Sequence, residues 1–327
     1  MNKKKILKLI KNGSIFLVVT ALYFSITAPL IAFYGPFERV KYTLVGAAMT
    51  TASHQYIAKT FLSGAEIQRI LDKNKAVTKV QNMENTKFND NDNSIELEEI
   101  KGDNKFRGYM LIVHDPKRVR IGYAKEYDLK TSRVGELAAK YNAVAAINGG
   151  GFSFFSAKGF GIDKEHNPMG ILIKDGEIKY KDDIGDDEKI DVMGLTKDYK
   201  LLVGPHSINE LKKLNINDAL SFGPALVVNG EGTISSKADG GYGLAPRTAI
   251  GQRKDGTILM LVIEGREIKS LGASLKDVQD VMLKYGAYNS TNLDGGGSSK
   301  MYFKNHAIDY NSNLFDGREV PSIVYVK

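Results

Sequence analysis

The longest apolar run in the chain extends from Asn12 to Phe37, which carries no charged residue and is dense in Ile, Leu, Val, Phe and Ala. A membrane-spanning helix needs about 20 such residues. Lys3, Lys4, Lys5, Lys8 and Lys11 precede the run, so the positive-inside rule holds the amino terminus in the cytoplasm and places the remainder outside the cell. A cleaved signal peptide is the rival reading, but its apolar core usually spans about 7–15 residues. The length therefore favours an uncleaved single-pass anchor, with Pro29 tolerated near its outer end.

Beyond the anchor, residues 40–62 are small and apolar with His54, Gln55 and Lys59 interspersed, a pattern that suits a helix lying near the membrane. Ser63-Gly64-Ala65-Glu66 has capping-box spacing and predicts a short helix through Ile67, Ile70 and Leu71. From Asn74 to Asn104 the chain is polar and aperiodic, which predicts a stem or linker, with Ile95 to Ile100 pairing as a first strand.

From Phe106 onward the pattern changes to short β-type runs. Tyr109 to His114 and Val119 to Ala124 flank the turn signal Asp115-Pro116, residues 133–141 have helical spacing, and 143–147 form an apolar strand. Asp175-Gly176, Asn229-Gly230 and Asp255-Gly256 lie between or after such runs and predict hairpins. A helix starts at Ser274 and ends before Gly286. The predicted fold class is α+β, mostly antiparallel sheet with a few helices, after an N-terminal transmembrane helix and stem. The expected divisions are 1–37 for the basic tail and anchor, 38–104 for juxtamembrane helices and polar linker, and 105–327 for the compact domain.

Composition changes this picture in two places. The net charge of +7 resides mostly in the five lysines before the anchor, leaving 40 basic against 38 acidic residues. A basic face for nucleic acid is not indicated. With no cysteine among 327 residues, a disulfide framework, a Cys-ligated zinc and a Cys nucleophile are all excluded.

Candidate chemistry concentrates in two glycine runs. Asn292-Leu293-Asp294-Gly295-Gly296-Gly297-Ser298 takes a carboxylate out of an apolar strand into three glycines. Residues 137–153 follow the same plan, with Asn148 before Gly149, Gly150 and Gly151. Glycines there let main-chain N–H groups approach a ligand, while a tight strand-ending turn is the plainer reading. Arg247 starts one strand of a predicted hairpin, and Glu264 and Arg266 follow the other, so the three share a rim. They form either a phosphate clamp or a surface ion pair.

No Gly-x-Ser-x-Gly elbow, His-Glu-x-x-His pattern, Walker A loop or dinucleotide fingerprint occurs. The five scattered histidines and the acidic run Asp182 to Asp191 have no ligand spacing. No motif asks for a cofactor, and a divalent metal held by residues distant in sequence stays open.

Four ordered motifs carry a resemblance. Asn148-Gly149-Gly150-Gly151-Phe152, Ser221-Phe222-Gly223-Pro224-Ala225-Leu226, Ala245-Pro246-Arg247-Thr248-Ala249-Ile250-Gly251 and Leu293-Asp294-Gly295-Gly296-Gly297-Ser298, with the closing Arg318-Glu319-Val320-Pro321-Ser322, resemble the phosphodiester glycosidase family over roughly 106–327. The anchored start resembles versions from Gram-positive bacteria. A lysosomal relative removes N-acetylglucosamine from a phosphodiester on mannose 6-phosphate, but this chain lacks its cysteines, so that substrate does not carry over.

The resemblance implies a hydrolase that cleaves a sugar from its anomeric phosphate through an oxocarbenium-like transition state. Asp294 and Glu264 are then the expected carboxylates. Arg247 and Arg266 take the phosphate, Asn148 bonds the sugar, and Gly149 to Gly151 and Gly295 to Ser298 form the substrate loops. The implied partners are envelope glycopolymers carrying sugar phosphates. A non-catalytic glycopolymer-binding module and a metal-dependent phosphodiesterase cutting P–O are the alternatives.

Overall fold

Helix α1 (Lys3–Tyr34) breaks at Gly35-Pro36, where proline cannot supply the N–H that would continue the ladder. In this computed structural model, which describes residues 3–49, 54–83, 88, 92–102, 106–153, 166–267, 270–308 and 318–327, α1 leads into three further helices. These are α2 (Glu38–Met49), α3 (Gln55–Phe61) and α4 (Gly64–Asn74). Ser63 caps α4 by accepting from the Glu66 N–H at 3.2 Å, as its spacing predicts. Phe33, Val45, Ala48, Ala58, Leu62, Ile67 and Ile70 give the four helices a small core of their own.

The rest of the described chain is built on three antiparallel sheets. The largest has the order β1 (Ile95–Gly102), β2 (Phe106–Val113), β13 (Ile258–Ile263), β12 (Arg247–Gln252), β14 (Asn289–Leu293), β10 (Ala225–Val228) and β11 (Glu231–Gly232). A second runs β16 (His306–Ile308), β15 (Met301–Phe303), β4 (Ala145–Asn148), β17 (Ser322–Val326) and β3 (Val119–Tyr123). The third runs β6 (Glu177–Lys181), β5 (Ile171–Lys174), β9 (Ile216–Ser221), β7 (Ile190–Thr196) and β8 (Leu201–His206). The expected α+β class is the observed one.

Strand alternation shows why the large sheet is buried on both faces. Ile258, Met260 and Val262 point into a core shared with the other two sheets, while Leu259, Leu261 and Ile263 point toward helix α7 (Leu275–Lys284). Helices α5 (Val134–Lys140) and α6 (Ile208–Lys213) cover the outer faces of the second and third sheets. Where those two sheets meet, Arg120 donates to the buried Asp218 at 2.7 Å and also to Asp175.

Residues 77–82 differ from the free linker that their polarity predicts. The Val77 N–H donates to Thr233 at 2.9 Å, Gln81 bonds the backbone of Leu201 and Val203, and Asn82 bonds Asn229. Polar side chains here satisfy exposed backbone groups of the domain, which keeps the segment aligned along it. The expected boundary at 104/105 and the tract Asn89–Asn91 lie outside the described residues.

Candidate active site

One end of the large sheet collects the start of β12 and the ends of β13 and β14. Arg247 pairs with Ile263 and Thr248 pairs with Leu293, so Asp294 comes opposite Arg247 while Glu264 follows on the other side. Neighbouring strands are about 4.8 Å apart, which puts the Glu264 and Asp294 backbones about 10 Å apart across β12.

Asp294 is fixed through its backbone. Its N–H donates to the Gly149 carbonyl at 3.3 Å, and its carbonyl accepts from Asn148 Nδ2 at 2.6 Å. Asn148 is fully buried, and its Oδ1 accepts from Thr248 Oγ1 at 2.7 Å and from the Lys300 N–H at 3.2 Å. The four family motifs therefore meet at one point: Asn148 of the first bonds Thr248 of the third and Asp294 of the fourth. Pro224 of the second accepts from the Asn292 N–H at 3.1 Å. The side chain of Asp294 accepts from the Gly295 N–H at 2.9 Å. Burial raises its carboxyl above the ordinary range, against the opposing pull of the Ser298 hydroxyl, the Gly295 N–H and the Arg318 charge.

Two guanidinium groups, those of Arg266 and Arg318, flank the glycines that follow, and the aliphatic stem of Arg247 passes beside the first of them. A methyl group added at Gly295 would lie 3.0 Å from the Pro246 carbonyl oxygen and 4.0 Å from Arg247 Cδ. At Gly296 it would lie 3.3 Å from Arg266 Nη2, and at Gly297 it would lie 3.5 Å from Arg318 Nε. Glycine is required at 296 for a second reason, its φ of +62°. Arg318 was not among the residues singled out for the site. Its place at the head of the closing family motif was the signal that could have found it.

Arg247 is only 6% exposed. Its Nε donates to the Ala273 carbonyl at 3.0 Å, and one terminal nitrogen donates to the carbonyls of Tyr242 at 3.3 Å and Gly243 at 2.7 Å. Burial lowers it to about 10, and Arg266 pushes the same way, while Asp239, Tyr242 and Asp277 push it up. A buried cation held by neutral carbonyls keeps most of its charge available to an anion.

The loop that holds Arg247 is itself pinned from the amino-terminal helices. Asn74 Nδ2 donates to Asp239 Oδ1 at 2.6 Å, and the Asp239 N–H donates back to Asn74 Oδ1 at 2.7 Å. Asp239 Oδ1 also accepts from the Gly241 N–H at 2.8 Å. Nothing local in the sequence couples positions 74 and 239.

The strand register brings Arg247, Glu264 and Arg266 to one end of the sheet, with Arg247 buried, Glu264 half-buried and Arg266 exposed at a φ of 64°. The backbone nests expected of the glycine runs do not form as such. The Gly149 N–H is bonded to Ser322, that of Gly295 to Asp294 and that of Gly296 to Pro246. Gly150 and Gly151 pack against the Ser221 carbonyl and the Phe222 ring. Asn148, expected to bond a sugar, is instead committed at both ends to the protein. Asn148 and the N–H groups of Gly149, Gly295 and Gly296 are committed because two loops cross closely at the sheet edge. Ser298 is fully buried. Among the described residues no three His, Asp or Glu side chains converge as a metal cradle.

Comparisons with known proteins bear on the family and on the fold. The SPbeta prophage-derived uncharacterized protein YomE of Bacillus subtilis (strain 168) is 40% identical over 74 residues, which are 23% of this chain and 11% of that protein. The chain thus spans about a tenth of that relative's length. The zebrafish N-acetylglucosamine-1-phosphodiester alpha-N-acetylglucosaminidase catalytic domain, auto-inhibited by its pro-peptide, superposes with a TM-score of 0.56 at 19% identity. That match covers 74% of this chain and 86% of the zebrafish one, and it speaks for the fold. A hypothetical protein from Synechocystis gives a TM-score of 0.48 at 15% identity, over 71% of this chain and 61% of that one. Residues 141–327 match the NAGPA family, described as phosphodiester glycosidase. Covering more than half of the chain and all four motifs, this match places the protein in the phosphodiester glycosidase family.

Proposed function

We propose that the protein is a membrane-anchored, extracytoplasmic hydrolase that releases an N-acetylglucosamine-like sugar from a sugar-1-phosphodiester in envelope or exopolysaccharide material. The observation that carries this reading is the desolvated carboxylate of Asp294 at the head of a side-chain-free loop flanked by the guanidinium groups of Arg266 and Arg318, with the buried Arg247 on the neighbouring strand. The setting rests on Lys11–Tyr34, a helix whose most apolar stretch has a mean hydropathy of 2.2 and is not buried, and on the lysines before it.

The phosphodiester lies against the three arginines, which hold its charge and that of the departing phosphate monoester. As the C1–O bond breaks, the electron pair leaves with the phosphate oxygen and positive charge develops at the anomeric carbon. An Asp294 carboxylate that is costly to ionise in the empty site gains most from that charge, so it favours the transition state over the ground state. Water then adds its oxygen to C1, and Glu264, across β12, takes its proton. The net products are free sugar, phosphate monoester and one proton. The phosphate needs little protonation to leave, which is why arginines suffice where an ordinary glycosidase needs a strong acid.

The test is release of reducing sugar from an α-N-acetylglucosamine-1-phosphodiester by the full chain in detergent. Wild type should release it, and Asp294→Asn and Arg247→Ala should not. Wild-type protein that retains the ligand without turnover would leave a binding module instead.

A further inference from the structure

The loops that carry the arginines end in exposed apolar side chains. Tyr242 is 54% exposed and Leu244 44%, both on the loop that holds Arg247; Leu271, on the loop that follows Arg266, is 56% exposed. Singly exposed leucines are ordinary, but apolar tips that join a larger apolar surface mark a contact site.

These tips continue an apolar stripe on α2. Phe37, Val40, Leu44 and Ala47 recur at helical spacing, and the first three are exposed. The stripe ends at the site's loop, where a methyl group at Gly243 would lie 2.8 Å from Ala47 Cβ and one at Gly46 would lie 2.6 Å from the Gly241 carbonyl oxygen. At its other end, Arg39 pairs with Asp277 at 3.3 Å, so α2 is fixed to the domain at two points. Three residues separate α2 from α1, and Glu38 to Gly46 spans about 12 Å of helix at 1.5 Å per residue. The rim of the site is thus held within roughly two to three helix turns of the apolar span, on a rigid arm.

Building on the function proposed above, the geometry points to a substrate whose phosphodiester is attached to a membrane lipid. The bilayer surface meets Phe37, Val40, Leu44, Leu244 and Leu271, the phosphodiester at headgroup level reaches the arginines, and the prenyl or alkyl aglycone stays in the membrane. The sugar projects into the site, and cleavage leaves a lipid monophosphate behind. The basic lysines lie on the opposite side of the span, so the bilayer, with its apolar interior ending at Tyr34, is the occupant that the stripe's continuity with α1 selects over a second protein copy.

The absence of native cysteine makes a direct test available. Full-length protein in vesicles of phosphatidylglycerol and phosphatidylcholine is labelled with a fluorophore at Leu244→Cys, or at Glu177→Cys as the exposed control. Brominated lipid should quench the label at 244 and leave that at 177 bright; an unquenched label at 244 overturns the proposal whether or not the enzyme is active.

The second measurement compares geranylgeranyl and methyl phosphodiesters of N-acetylglucosamine as substrates in the same vesicles. Wild type should prefer the lipid-linked one, and Leu244→Ser with Leu271→Ser should reduce that preference at least about tenfold, the factor that burial of one leucine supports. Turnover of the methyl substrate should stay unchanged. Equal preference in wild type and variant overturns the lipid assignment, and a variant that separates a dimer without altering preference assigns the rim to a second copy. Quenching at 244 with neither substrate cleaved would count against the proposed reaction and leave the membrane contact standing.

Discussion

Two loops in this protein share one sequence plan, yet they do opposite things. Gly149 to Gly151 and Gly295 to Gly297 each follow an apolar strand and a polar residue. In the first, every missing side chain makes room for protein: a methyl group at Gly149 would lie 2.5 Å from Ser322 Oγ, and one at Gly150 would lie 2.7 Å from the Ser221 carbonyl oxygen. In the second, the missing side chains at Gly296 and Gly297 make room for the guanidinium groups of Arg266 and Arg318. A run of glycines reports close approach; its neighbours in space decide what approaches.

The largest expected effect separates catalysis from stability within the second loop. Asp294→Asn should lower turnover by about 10³-fold or more and raise the melting temperature. The sign follows from the raised carboxyl: its folded value lies above its unfolded one, so the stability it contributes is present at low pH and lost as pH rises through the folded value. Asparagine keeps the shape without the charge, and the stability gap between variant and wild type should therefore be widest at neutral pH and close in acid. A variant less stable than wild type at pH 7 would contradict this.

Next in size is Gly149→Ala. Its methyl group would also meet the Ser322 backbone at 2.9–3.0 Å, an overpacking that costs about 1–3 kcal/mol. Urea unfolding should show that loss, with activity per folded molecule changed far less. Gly296→Ala should invert the pattern: the left-handed φ costs about 1 kcal/mol, but displacement of Arg266 should lower kcat/KM about tenfold. Should both alanines act alike, the distinction between a packing loop and a substrate loop fails. The smallest effect is Thr248→Val, which removes one donor to the buried Asn148 and should cost about 1–2 kcal/mol in denaturation while kcat falls modestly through the slackened Asp294 backbone.

Much of the fold was legible because it is written locally. Asp175-Gly176 and Asn229-Gly230 adopt the positive φ pairs that their hairpins require, and the capped helices α4 and α7 start where Ser63 and Ser274 say. Arg247 and Glu264 were legible as neighbours because one hairpin register joins them. The frame of the site was not, since it depends on contacts between distant positions. Asn148 looks like a ligand group until Thr248 and Asp294 are seen to occupy it, and Asn74 looks like linker until Asp239 is found against it. Arg318 follows a stretch outside the described residues and reaches Gly297 across the sheet edge, where no spacing rule could place it.

The central claim is that the bond broken is the one between the anomeric carbon and oxygen. Hydrolysis of an N-acetylglucosamine-1-phosphodiester by the full chain in water enriched in heavy oxygen, followed by mass analysis of both products, tests it directly. Heavy oxygen in the released sugar, with none in the phosphate monoester, is the predicted result; label in the phosphate would contradict the account and identify a phosphodiesterase.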